Sequence, residues 1–232
     1  MNRREFLGVA ALTAVGLVFG KKLMARAAVA GKTAGSAASK PKVLIIGDSI
    51  SIGYTPHVAE ELKDVADVLH NPGNAANTWN GLQKIDSWLG DTRWDVIHFN
   101  WGLHDLCYRN PEKKTQAGRD KVGGKLTTSL EDYEANLQKL IDIMRRTGAK
   151  LVFATTTVSP PDEIGRFTED PARYNEAAIK VMKRNNIPVD DLYTPSIEIH
   201  AQWGQGNDNV HYKTEGSKQL AKYVAASIRP LL

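Results

Sequence analysis

The chain has 232 residues, of which 42% are hydrophobic and 24% are charged, a balance typical of one soluble globular domain. Its formal net charge of +4 would suggest an anionic partner, but the basic excess belongs to the N-terminus. Residues 1–30 contain five lysines and arginines against Glu5 alone, so the rest of the chain is close to neutral. This distribution excludes the basic face that a nucleic-acid-binding protein needs.

The first 30 residues have the features of a bacterial export signal. A charged start is followed by an apolar stretch from Phe6 to Phe19 and by the A-x-A cleavage pattern Ala28-Val29-Ala30. The start also carries Arg3 and Arg4, which resemble a twin-arginine signal. We therefore predict an exported protein, periplasmic or secreted, with no stable membrane insertion after cleavage. The alternative is that the apolar stretch remains as an anchor, although a spanning helix needs about 20 residues.

The rest of the chain divides into a short linker and one folded domain. Residues 31–41 are small and polar and predict a flexible linker, and residues 42–232 predict the domain. The single cysteine, Cys107, cannot form an intramolecular disulfide, and we predict a small, semi-buried apolar role for it. No Cys/His cluster, carboxylate pair or glycine-rich phosphate loop has the spacing of a metal or phosphate site, so we expect neither metal nor cofactor.

Apolar runs typical of buried strands alternate with stretches of helical periodicity along the domain. The strand-like runs are Val43–Ile46, Val65–Leu69, Val96–Trp101, Leu151–Thr157 and a weaker run at Ile187–Leu192, and the helical stretches are 56–64, 79–90, 130–146, 171–185 and 215–228. This alternation predicts a five-stranded parallel sheet covered by helices on both faces, a three-layer α/β/α sandwich. Such sheets bind ligands at the carboxyl ends of their strands, so functional residues are expected there.

Polar residues follow the predicted strands and include a serine, an aspartate and a histidine. Ser49 comes directly after the first strand, and Asp208 and His211 precede the last helix. A serine hydroxyl is a weak nucleophile that needs an adjacent base, which a third group orients. Because Asp208 and His211 lie three residues apart, one turn can bring the carboxylate to Nδ1 and leave Nε2 free for Ser49. An acyl-transfer site also needs donors for the oxyanion, and the N–H of Ser49 at a helix start can serve.

Four sequence blocks in this order resemble the SGNH (GDSL-type) hydrolase family. They are GDS at 47–49, a small-residue loop after the second strand, G-x-x-D at 102–105 and D-x-x-H at 208–211. The resemblance spans essentially residues 42–229. It implies a flavodoxin-like sheet and an esterase or lipase activity, with Ser49 as nucleophile, His211 as base and Asp208 as the orienting group.

Two blocks depart from the family pattern. His104 occupies the third-block position where the family usually has an asparagine that donates to the oxyanion, and an imidazole can also donate. In the second block the family's glycine aligns with Ala76, and Gly73 is the nearest actual glycine, so either N–H is a candidate for the oxyanion hole. Three further residues in or beside the blocks are predicted to line the substrate cleft: Asn100, Trp101 and Trp203.

The segment 107–128, which follows the third strand, is long, polar and glycine-bearing. Two interpretations stay open: a solvated, mobile loop, or a lid whose basic residues attract an acidic substrate such as a uronic-acid polysaccharide. The basic residues are Lys113, Lys114, Arg119, Lys121 and Lys125.

These observations predict an exported serine esterase that acts through an acyl-enzyme. We expect it to hydrolyse a short acyl ester, acetyl in the first instance, on a carbohydrate or a related small molecule, because no long exposed apolar stretch is available for a lipid chain. One alternative is a lysophospholipase or thioesterase with the same triad. The other is a non-catalytic carbohydrate-binding descendant of the fold, in which His104 marks a lost active site. The sequence leaves the oligomeric state open.

Overall fold

The computed structural model describes residues 39–113 and 118–232. The predicted export signal (1–30) and residues 31–38 of the predicted linker lie outside the described residues. Among the helices that are described, none is long and apolar enough to cross a membrane.

Five parallel strands form the central sheet, and a small antiparallel pair lies apart from it. The strands are β1 (Lys42–Ile46), β2 (Asp67–His70), β3 (Val96–Phe99), β4 (Tyr108–Arg109), β5 (Lys125–Leu126), β6 (Lys150–Ala154) and β7 (Val189–Asp190). The sheet order is β2-β1-β3-β6-β7, while β4 pairs with β5. This order is that of a flavodoxin-like sheet, so the predicted fold class is confirmed. In the centre of the sheet, Val43 lies opposite both Val68 and Val96.

Six helices cover the two faces of the sheet. They are α1 (Ser49–Glu61), α2 (Thr78–Leu89), α3 (Leu130–Arg145), α4 (Asp170–Arg184), α5 (Tyr193–Trp203) and α6 (Thr214–Ile228). Because side chains alternate along a strand, Leu44 and Ile46 enter the core beneath α2, α3 and α4, whereas Val43 and Ile45 enter the core beneath α1, α5 and α6. The two cores hold the strand ends in fixed positions.

Two helices differ from the sequence prediction. Helix α1 begins at Ser49, the residue expected at a helix start, and therefore extends well before the periodic stretch 56–64, because Asp48 caps it by accepting a hydrogen bond from Ile50 N–H at 2.9 Å. Pro56 lies inside this helix on its exposed side, where water can bond the carbonyl that proline leaves unpaired. Helix α5 was not predicted. Its first N–H groups, those of Leu192 and Tyr193, donate to Thr155 Oγ1 at the end of β6, a contact between distant residues that local periodicity does not reveal.

The described part of segment 107–128 is held against residues 160–167 by backbone hydrogen bonds. Tyr108 N–H donates to Gly165 O and Lys121 N–H donates to Ile164 O, each at 2.7 Å. Residues 160–167 are in turn joined to the loop before α6, because Asp162 N–H donates to Asn207 O at 2.9 Å. We call residues 108–113, 118–126 and 160–167 together the loop wall, since they stand beside the carboxyl ends of the strands.

The aspartate of the third block has a structural role. Asp105 is buried, and its Oδ1 accepts hydrogen bonds from Thr78 N–H at 2.9 Å and from Thr78 Oγ1–H at 2.7 Å. Burial raises the pKa of this carboxyl to about 6, although the bonds from Thr78 act in the opposite direction. Asp105 therefore joins the loop after β3 to the start of α2 and fixes the position of its neighbour His104.

Candidate active site

A cavity of about 360 Å³ opens at the carboxyl ends of β1 and β3. Four of the predicted site residues line it: Ser49, His104, Asp208 and His211. The loop wall contributes Arg119 and Arg166, and further polar lining comes from Asn74 and Asn209. Residues from six separate segments of the sequence therefore meet at one edge of the sheet.

Ser49 and His211 form a hydrogen-bonded pair in this cavity. The distance from Ser49 Oγ to His211 Nε2 is 2.8 Å. Ser49 is the first residue of α1, so its backbone N–H has no acceptor within the helix. The turn that carries it is tight, because a Cβ atom on Gly47 would lie 2.6 Å from Ser51 Oγ. The fold thus presents both the hydroxyl and the N–H of Ser49 to the cavity.

The other nitrogen of His211 contacts Asn209 rather than Asp208. Asn209 Oδ1 lies 2.6 Å from His211 Nδ1 and also accepts a hydrogen bond from His211 N–H at 3.0 Å. An amide oxygen is an acceptor, so Nδ1 carries the proton and Nε2 keeps the lone pair that faces Ser49. Asp208, which the D-x-x-H spacing predicts for this place, is exposed and makes no hydrogen bond to His211. An asparagine two residues before the histidine is an Asx-turn pattern, a signal that sequence reasoning missed.

The surroundings of His211 favour its neutral form. Burial lowers the pKa of this imidazole, and the positive charges of Arg166 and Arg119 lower it further, against an opposing effect of Asp48. A neutral imidazole at neutral pH can accept the proton of a hydroxyl.

We therefore expect kcat/KM for a neutral ester to increase with pH through a pKa below 6.5, the usual value for histidine. The ascending limb reports the loss of a proton from His211, so its midpoint follows the lowered pKa. Replacing Arg166 with glutamine removes a positive charge that opposes protonation and should move this midpoint to higher pH. A pH profile of the wild type and Arg166→Gln measures both values. A wild-type midpoint above 6.5 would contradict the assignment.

His104 lies in the cavity as a neutral donor. Burial is the main cause that lowers the pKa of His104 to about 4, and the charges of Arg166 and Arg109 add to it. Its imidazole makes no hydrogen bond to any residue in 39–113 or 118–232, so its N–H is available to a ligand.

The two backbone donors predicted for the second block are not presented to the cavity. Ala76 has the left-handed φ of 51°, and its N–H donates to Asn74 Oδ1 at 2.8 Å. Gly73 is exposed, and neither Gly73 nor Ala76 lines the cavity. The second-block residue that does line it is Asn74, which sequence reasoning did not single out.

The three residues predicted to line the substrate cleft lie outside the cavity. Trp101 is only 1% exposed and packs against Gly81, where a Cβ atom would lie 2.7 Å from the indole ring. Asn100 donates through Nδ2 to Ala154 O at 2.7 Å, which joins β3 to β6. Trp203 packs against the core beneath α1, α5 and α6. None of the three is among the residues that line the cavity.

Within the described part of the chain, no group of three or more His, Cys, Asp or Glu side chains could hold a metal ion. Cys107 is completely buried, whereas a semi-buried apolar position was predicted for it.

The chain matches the model of the GDSL-like Lipase/Acylhydrolase family over residues 45–219, and it belongs to that family. This match confirms the resemblance to the SGNH (GDSL-type) hydrolase family that the four sequence blocks indicate. Membership of the family makes the protein a hydrolase that acts on esters. No curated protein matches the chain in sequence at a significant level.

Several solved structures are similar in fold at low sequence identity. An acetyl xylan esterase, AlAXEase, is 18% identical, with a TM-score of 0.64, covering 81% of this chain and 99% of that one. A lipase/acylhydrolase from Enterococcus faecalis is 17% identical, with a TM-score of 0.65 and coverage of 82% and 96%. A catalytic mutant of Axe2, an acetylxylan esterase from Geobacillus stearothermophilus, is 16% identical, with a TM-score of 0.66 and coverage of 83% and 94%.

Proposed function

We propose that the protein is a serine esterase that removes a short acyl group, such as acetyl, from a carbohydrate or a related small molecule. The observation that carries this proposal is the 2.8 Å contact between Ser49 Oγ and His211 Nε2 inside a cavity. The acetylxylan esterases among the similar structures support the choice of an acetyl ester on a sugar.

In the proposed mechanism, His211 first acts as the base. Its Nε2 takes the proton of Ser49 as Oγ attacks the ester carbonyl, while the Nδ1–H remains bonded to Asn209 Oδ1. The tetrahedral intermediate then collapses, and His211 returns the proton to the departing alcohol. A water molecule, deprotonated by His211, attacks the acyl group on Ser49 and releases the acid.

The oxyanion would be held by Ser49 N–H and by the N–H of neutral His104. A third donor would come from the second block. Ala76 N–H can take this role only after it exchanges its bond to Asn74 Oδ1, and Gly73 lies outside the cavity lining. The amide group of Asn74 is therefore a better-placed candidate than either backbone N–H.

The cavity favours a carbohydrate ester over a long-chain lipid ester. Its volume of about 360 Å³ lies near the lower end of the range for small-molecule sites, about 300–1,000 Å³. Most of its lining side chains are polar or charged, and its apolar members are Leu103 and Val210. The polar and charged side chains suit the hydroxyl groups of a sugar, and only two lining residues are apolar, which argues against a lysophospholipase or thioesterase.

We also propose that the protein is exported through its twin-arginine-like N-terminus. The charged start, the apolar stretch and the A-x-A pattern within residues 1–30 support this proposal. A polymeric carbohydrate is a substrate that an enzyme meets outside the cytoplasm, so location and substrate class agree.

A fluorophosphonate probe and a series of aryl esters test the proposed function. We expect the probe to label Ser49, because only an activated serine reacts, and kcat/KM to decrease as the acyl chain lengthens from acetyl. Mass spectrometry of the labelled peptide locates the modification. Activity that increases with chain length would favour the lipase alternative. An unlabelled, inactive protein that still binds sugars would favour the non-catalytic alternative.

A further inference from the structure

Two guanidinium groups share one buried carboxylate beside the catalytic pair. Glu163 Oε1 forms ion pairs with Arg119 and, at 3.1 Å, with Arg166 Nη1. The second carboxylate oxygen, Oε2, accepts a hydrogen bond from Gly165 N–H at 2.8 Å. Glu163 is completely buried, so no water reaches it. The three side chains themselves carry two positive charges and one negative charge.

The guanidinium of Arg166 is fixed in place, and one of its nitrogens has no partner among the described residues. Arg166 is 3% exposed, and its Nε–H donates to Leu103 O at 2.6 Å. Nη1 faces Glu163, while Nη2 makes no hydrogen bond or ion pair to any described residue, although the side chain lines the cavity. Burying a charged group without a complete set of partners costs free energy. An anion that enters the cavity would provide the missing partner for Nη2 of Arg166.

The carboxylates of the cavity do not supply that anion. Asp48 is buried, and its Oδ1 is occupied by the N–H of Ile50 at the start of α1. Asp208 is exposed and lies over its own loop, since its Oδ1 is 2.9 Å from the position of a Cβ on Gly206. Neither aspartate forms an ion pair with Arg166.

We propose that Arg166 and Arg119 form a carboxylate-binding subsite, so that the esterase prefers an acyl ester on an acidic sugar such as a uronic acid residue. This inference rests on the proposed function and names its substrate class. A guanidinium donates in a planar fork that matches the two oxygens of a carboxylate. Since Arg119 and Arg166 line the same cavity as Ser49, the carboxylate binds in the cavity that holds the scissile ester.

A matched pair of substrates tests the subsite. Acetylated methyl glucuronoside and acetylated methyl glucoside differ only in a carboxylate that replaces a hydroxymethyl group. We expect the wild type to prefer the glucuronoside by at least about tenfold in kcat/KM, mainly through KM, since charge-assisted hydrogen bonds have that strength. Arg166→Gln should reduce this preference to near unity.

Two further variants make the result decisive. Arg119→Gln changes a side chain that is 26% exposed, and it should also lower the preference for the glucuronoside. It replaces Arg166→Gln as the test if that variant does not fold. Lys125→Gln removes an equal charge from an exposed position on β5 outside the cavity and should keep the wild-type preference. A wild-type preference near unity, or a preference unchanged in both arginine variants, would overturn the subsite.

Failure of the subsite and failure of the proposed function give different results. Hydrolysis of both esters at equal rates rejects only the subsite. If neither ester is hydrolysed, the proposed function is in doubt, and calorimetry then decides the subsite by comparing the binding of methyl glucuronoside with that of methyl glucoside. Equal affinity for the two sugars would overturn it. Tighter binding of glucoside 6-sulfate than of the glucuronoside would overturn the assignment to a carboxylate.

Discussion

Replacing Ser49 with alanine is expected to lower kcat/KM for a short-chain aryl ester by at least about 1,000-fold, because the attacking oxygen is removed. Ser49 Oγ is the atom that lies 2.8 Å from His211 Nε2 in the cavity. The melting temperature should change little, since the side chain is half-buried and its backbone starts α1 in either variant. A steady-state assay with a thermal denaturation curve measures both properties.

A neighbouring serine provides a matched control for this experiment. Ser51 Oγ lies 2.6 Å from His70 Nε2, so it also belongs to a serine–histidine pair. It is only 2% exposed and does not line the cavity, so a substrate cannot reach it. Ser51→Ala should keep the activity within about tenfold of the wild type, the usual range for a change outside the reacting groups. Loss of activity in Ser51→Ala together with its retention in Ser49→Ala would refute the assignment of the nucleophile.

The second large effect is expected at Asn209. Asn209→Ala removes the acceptor of the His211 Nδ1 proton and should lower kcat by about 100-fold, because the tautomer and the ring orientation are no longer fixed. Asp208→Ala should lower kcat by less than about tenfold, since Asp208 makes no hydrogen bond to His211. Steady-state kinetics of the two variants on a neutral ester make the comparison.

The conservative variant Asn209→Asp tests whether Asn209 orients the ring of His211 or only supports the fold. Asn209→Asp keeps an acceptor at Nδ1 and adds a negative charge, which stabilises the protonated imidazole and raises the pKa of His211. Activity should therefore be retained near neutral pH, with the ascending limb of the pH profile moved to higher pH. If Asp208→Ala causes the large loss and Asn209→Ala does not, then the orienting group is the aspartate that the D-x-x-H motif implies.

The sheet and most helices could be predicted because their signals are local. Buried apolar runs and three- to four-residue periodicity depend on neighbouring residues, and they located five strands and five helices, although α1 extends well before the periodic stretch 56–64. Helix α5 has weak periodicity and depends on Thr155, a residue nearly 40 positions earlier.

The sequence predicts which loops form the candidate site, but it does not predict all of the side chains that meet there. Motif spacing identified the loops that carry Ser49, His104 and His211, and the structure brings these residues to one cavity. Spacing does not decide which side chain of Asp208 and Asn209 turns toward His211, since that choice depends on the torsion angles of the loop. Arg166 belongs to no motif, and contacts between distant residues, such as the bond from its Nε–H to Leu103 O, bring it into the cavity of Ser49 and His211.

The loop wall is attached to the rest of the protein largely through main-chain groups, at Tyr108–Gly165, Lys121–Ile164 and Asp162–Asn207. Bonds between peptide groups do not depend on the identity of the side chains that the same residues carry. The wall can therefore change many of its side chains during evolution and keep its shape, although not at Gly165, where a Cβ atom would lie 2.7 Å from Arg119 Cβ. Ser49 and His211 are held elsewhere, by the capped start of α1 and by Asn209 in the loop before α6. In the function we propose, substrate preference and bond-breaking chemistry lie on separate parts of the chain, so one can diverge while the other is preserved.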